Sequence, residues 1–185
     1  MRYIVGFFIT IGLIILILVL LFRGGDSPVA PVKKPLSLPD YTYTGAVARM
    51  IVDGPVVGDQ KHNEIQIDVS QDSVTMNVYQ GYQQTLLRSQ TYSNNTTAWA
   101  VFLRSLQRAG YTLGDTSSAL RDERGYCPVG TRSIYSLTNN GSDVMRFWRT
   151  SCGQGTAKGQ TATFRYLFQK QVPDYSKLVA GINVF

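Results

Sequence analysis

The side chains able to do chemistry are few. His62 is the sole histidine, Glu64 and Glu123 are the two glutamates, and Cys127 and Cys152 are the two cysteines. A nucleophile, base and orienter triad would need His62 as its base. That residue sits in the polar run Asp59-Gln60-Lys61-His62-Asn63-Glu64, which reads as an exposed loop, and no serine stands in a Gly-x-Ser-x-Gly elbow. Paired carboxylates could serve glycoside hydrolysis without a histidine. The two glutamates, however, lie far apart, and Asp53, Asp59, Asp68 and Asp72 fall at turn and strand-surface positions. Two cysteines and one histidine are too few for a structural zinc site without carboxylate help, and there is no Cys-x-x-Cys. The stretch Gly153 to Gly159 has glycines, Thr156 and Lys158, but not the order a phosphate loop requires. No catalytic set, metal site or cofactor is assigned.

Two other groupings stand out. Cys127 precedes the first strand of a predicted hairpin and Cys152 ends the second, so the two thiols come side by side, as a disulfide requires. The bridge would close a loop of about 26 residues, worth roughly 3 to 4 kcal/mol by chain entropy. It would also place the domain outside the cytoplasm. The other grouping is arginine with aromatics: Arg121, Arg124, Arg132, Arg146, Arg149 and Arg165 are interleaved with Tyr126, Tyr135, Phe147, Trp148 and Tyr166. On a strand Arg146 and Trp148 share one parity, Phe147 and Arg149 the other. Arg132, Arg146, Trp148 and Arg149 are therefore the candidate ligand-binding residues, suited to a polyanion, a sugar chain or a partner protein. The competing reading is a solvated basic sheet face whose aromatics point to the core.

These residues need a scaffold, and alternation supplies one. Ala46, Ala48, Met50 and Val52 share a parity before Gly54-Pro55. Ile65, Ile67 and Val69, then Val74, Met76 and Val78, predict a hairpin around Ser70 to Ser73, with a further strand from Leu86 to Tyr92. Trp99, Phe102, Leu103 and Leu106 follow helical spacing from a cap at Asn94 to Thr97 to a stop at Gly110. A loop from Leu113 to Val129 leads to a second hairpin, Thr131 to Leu137 and Val144 to Cys152, turning at Asn140-Gly141. Phe164, Leu167, Phe168 and Val172 give a second helical stripe before Pro173. The expected fold is α+β: a mostly antiparallel sheet with two amphipathic helices packed on one face.

Ahead of it, Ile4 to Phe22 is nineteen residues without a charge. As a helix it would span about 28 Å, close to a bilayer core, which predicts an uncleaved transmembrane anchor over residues 1–25. Arg2 on one side and Arg23, Lys33 and Lys34 on the other leave the orientation unsettled by charge. Residues 26–40, with prolines at 28, 31, 35 and 39, read as an extended linker, and 41–185 as the domain. In the 185 residues, 16% charged and 11% aromatic content excludes a disordered chain. Removing Arg2 and Arg23 lowers the excess of base over acid from six to four, which argues against nucleic acid as the partner. The expectation is a single-pass membrane protein displaying a disulfide-stapled domain outside the cytoplasm. It would serve as a binding or assembly module for an envelope protein or an anionic or sugar polymer. The alternative is a membrane-tethered hydrolase acting on an envelope polymer.

Overall fold

The computed structural model describes residues 6–7, 11–18, 35–117 and 122–184. The chain divides into two compact units, Met1–Pro35 and Leu36–Phe185. In the first, residues 6–7 and 11–18 are helical, with Leu13, Ile14, Ile15 and Leu16 exposed. Much of the expected anchor, Ile4 to Phe22, lies outside the described residues, and among those described no helix is long and apolar enough to cross a membrane. Arg121, one of the interleaved arginines, also lies outside them.

The second unit is α+β. Its strands are β1 (Ala46–Asp53), β2 (Asn63–Ser70), β3 (Ser73–Gln80), β4 (Thr85–Ser93), β5 (Arg132–Asn139) and β6 (Ser142–Thr150). They form one six-stranded sheet in the order β4-β3-β2-β1-β5-β6, antiparallel throughout. The alternation that defines these strands also sets the register. Met50 stands opposite Ile67 on one side and Tyr135 on the other, so the apolar residues of neighbouring strands line up on one face. That face buries Ala48, Met50, Val52, Ile65, Ile67, Val69, Val74, Met76 and Val78.

Two helices cover it. In α1 (Thr96–Ala109) the Asn95 side chain accepts the Ala98 N–H at 2.9 Å, and Gly110 takes a φ of 83° to close the last turn. Its stripe of Trp99, Phe102, Leu103 and Leu106 is buried. In α2 (Thr161–Lys170) Phe164 and Phe168 point inward. Phe168 meets Phe102 edge-on at 5.1 Å, and Tyr111, which no periodicity singles out, meets Phe164 at 5.1 Å. The short α3 (Tyr175–Leu178) ends under Arg88, whose guanidinium donates to Leu178 O at 2.6 Å and Ala180 O at 2.9 Å. Folded chain begins before Tyr41. Leu38 is fully buried and its N–H donates to Gln107 Oε1 at 2.8 Å, so Leu36 to Asp40 pack with the domain although their prolines suggest linker. The apolar side chains between the prolines have α1 to pack on.

The opposite face carries polar residues over β1 to β3, where the Arg49 guanidinium grips the Asp68 carboxylate with two hydrogen bonds of 2.6 and 2.8 Å. Over β5 and β6 it is roofed by the chain leading to β5. Tyr126 lies 4.9 Å from the Trp148 ring, and Trp148 stands opposite Ile134. The roof is stapled by the Cys127–Cys152 disulfide, with Cα atoms 5.8 Å apart.

Candidate anion-binding cleft

The inward-facing positions of β5 and β6 pair as Leu137 with Met145, then Tyr135 with Phe147, then Ser133 with Arg149. The first two pairs are core. At the third, where alternation still points inward, the apolar layer ends in a hydroxyl and a guanidinium. This change of chemistry opens a cleft of about 400 Å³ between the two strands and the first turns of α2. Ser133, Tyr135, Arg149, Thr161, Arg165, Tyr166 and Gln169 are among its walls, and no carboxylate of a described residue is. Arg165 donates to Ser133 Oγ at 2.9 Å, and the Tyr135 hydroxyl donates to Thr161 O at 3.3 Å. Burial pushes the Tyr135 phenol above its ordinary value, with Ser133 and Arg165 acting the other way. The half-buried Arg149 guanidinium forms no hydrogen bond or ion pair with a described residue. At the rim, Tyr166 is 57% exposed and Lys170 Nζ lies 5.4 Å from the centre of its ring.

The four candidate residues do not form one surface. Only Arg149 reaches this cleft. Trp148, at 1% exposure, is buried under Tyr126 and offers no stacking face. Arg132, at 6%, is locked by Asp53 Oδ2 at 2.8 Å and by Gly54 O at 3.2 Å. Arg146 is exposed and pairs with Glu123 at 2.7 Å. The parity rule separated the faces correctly; the roof that covers one of them is a loop, which has no period to read. Arg165 joins Arg149 only because α2 folds back over β5 and β6. The sequence signal that could have singled out Arg149 is a charge at an inward position beside Phe147.

His62 is not the exposed loop histidine its setting suggests. It is 5% exposed and stacks on Tyr82 at 4.2 Å. Nε2 lies 3.1 Å from Asp53 Oδ1 and Nδ1 3.1 Å from Pro55 O, so both ring nitrogens face acceptors. With Arg132 this forms a network that pins the Gly54 to Lys61 turn onto the sheet. Burial raises the Asp53 carboxyl, against the pull of Arg132 and His62. Glu64, opposite Asp53 across the strands, is raised by burial and then by Asp53. None of these residues lines either cleft described in this section.

The other cleft, about 310 Å³, is walled by Asp115, Thr116, Asp143, Val144, Met145, Arg146, Phe147 and Thr156. Asp115 accepts the Ser117 N–H at 2.8 Å as a turn residue does, and Asp143 is exposed at the start of β6. Among the described residues, no cluster of histidine, cysteine and acid side chains is suited to hold a metal ion. No family model matches the chain, and no curated protein matches it in sequence.

Proposed function

We propose that this chain is a membrane-anchored binding module that displays its α+β domain outside the cytoplasm and captures an anionic group of an envelope polymer or protein. The observation that carries this reading is the half-buried Arg149, without a partner among the described residues, in a cleft that also presents Arg165 and is lined by no acid among the described residues. A half-buried guanidinium with no intramolecular acceptor among the described residues is a poor contributor to stability and a good donor to a ligand oxyanion. The nineteen uncharged residues from Ile4 to Phe22 support the anchor, and the Cys127–Cys152 bridge supports an oxidising compartment.

Two measurements test it. In intact cells, a membrane-impermeant maleimide polymer should label the cysteines only after an impermeant reductant is added; labelling that needs permeabilisation and no reductant would refute the location. Polyphosphate beads should retain the full-length protein, and Arg149→Ala should release it, while Arg146→Ala, which removes a residue outside the cleft, should not. Equal retention of all three proteins would refute the site.

A further inference from the structure

We infer that β4 is a docking edge whose occupant is the β4 of a second copy of this chain, antiparallel about a two-fold axis at Gln90, so that two six-stranded sheets join into one. The first reason is the open edge. β4 ends the sheet and pairs with β3 on one side only, so every second N–H and C=O turns away from that partner. Apart from a 3.5 Å contact from Gln90 Nε2 to Thr91 O within the strand, no backbone group of β4 has a partner outside β3 among the described residues. The edge at β6 is treated differently, because the chain after β6 folds back along it. The Thr150 N–H donates to Gln154 O at 2.8 Å, and the Thr156 and Ala157 N–H groups donate to Trp148 O at 2.9 and 3.0 Å.

The second reason is the lack of a deterrent. Native edges are blunted by lysine, proline or a charge that a neighbouring strand would bury. Thr85 to Ser93 has no proline or lysine, and its single charge, Arg88, is already held by Leu178 O and Ala180 O. The bulge opposite Val78 and Tyr79 disturbs only the start of the strand; from Arg88 to Ser93 the register is regular. The third reason selects the occupant. A foreign peptide added to an edge is chosen by pockets for its alternate side chains, and neither cleft described above lies beside β4. A second β4 matches by its own sequence. Residues standing opposite must share a face, so the axis passes through a residue and not between two. Centred on Gln90, it sets Ser89 opposite Thr91, extending the hydroxyl ladder in which Thr91 already meets Thr75 at 3.1 Å. It also sets Arg88 opposite Tyr92, a guanidinium beside an aromatic ring. Centring on Arg88 would oppose two like charges, centring on Ser89 would run the pairing into the bulge, and centring on Thr91 would lose the Arg88–Tyr92 pair.

The test uses the full-length protein in neutral detergent micelles. Single cysteines introduced as Ser89→Cys, Gln90→Cys, Thr91→Cys and Ser93→Cys are oxidised with copper phenanthroline; both native cysteines are occupied in the Cys127–Cys152 bridge. Covalent dimer should peak at Gln90→Cys, whose two Cβ atoms would face each other within about 5.5 Å. It should be absent at Ser93→Cys, whose copies would lie about 20 Å apart along the strands. Gln90→Lys, which puts two ammonium groups face to face, should lower the dimer fraction about threefold or more in sedimentation, with the melting temperature of the dilute protein unchanged. Amide exchange along β4 should slow as the parent protein is concentrated. A cross-linking maximum at Ser93→Cys, or equal cross-linking at all four positions, would overturn the pairing. Exchange that stays fast at every concentration, with no covalent dimer, would also overturn it and leave the edge to a strand of another protein. β4 and β6 lie at opposite ends of the sheet, so either outcome leaves the cleft reading unaffected.

Discussion

Replacing both cysteines, Cys127→Ala with Cys152→Ala, should destabilise the domain by about 3.5 kcal/mol. The bridge joins residues 25 apart, and closing a loop of about 26 residues removes that much chain entropy from the unfolded state. The compact unit from Leu36 to Phe185 is about 150 residues, for which that loss corresponds to a fall in melting temperature of roughly 10 °C. In the folded state β5 and β6 pair from Arg132–Thr150 to Asn139–Ser142 without help from the sulfurs, so the hairpin should survive. The roof should loosen instead, because Tyr126 and the residues after it are held over Trp148 from the Cys127 side. Urea unfolding of the full-length protein and the double variant, each with and without reductant, measures both effects. Tryptophan fluorescence reports Trp148 directly, with Trp99, buried on the inner face of α1, as the internal reference. A loss below about 1 kcal/mol would refute the loop-closure argument. So would a double variant that still responds to reductant, since no thiol pair would remain to explain it.

Three further outcomes follow from particular contacts. Asp53→Ala should cost about 3 kcal/mol in urea unfolding, because it leaves the buried Arg132 without its carboxylate and removes the acceptor at His62 Nε2. Adding Arg132→Met should recover part of that loss, and strict additivity would count against the pair. Glu64 is held above its usual carboxyl value by burial and by Asp53, so the folded state keeps its proton to higher pH than the unfolded chain does. Its favourable contribution is therefore present at acid pH and lost as pH rises through the carboxylate range. Glu64→Gln should gain stability relative to the parent between about pH 4 and pH 7, and a flat difference would refute the shift. Asn95→Ala, which removes the cap on the Ala98 N–H, should cost about 1 kcal/mol; an unchanged melting temperature would show the cap to be dispensable.

Local periodicity determined most of the secondary structure. The strands at Ala46, Ile65, Val74 and Leu86, the Asn140-Gly141 hairpin and the stripes of α1 and α2 are all visible from the spacing of apolar residues, because which face of a strand or helix is apolar is written within the segment itself. The disulfide was legible for the same reason: the two cysteines sit at the ends of a hairpin whose ends must meet. Tertiary structure alone decided what covers each face. It placed β1 between β2 and β5, an order no segment encodes by itself. It set the roof over Trp148, sank His62 under Tyr82, and turned two of the four candidate residues, Arg132 and Trp148, into buried structure. It also brought Arg165 to Arg149 across sixteen positions of chain. Parity along a strand says which way a side chain points; only long-range packing says what it finds there.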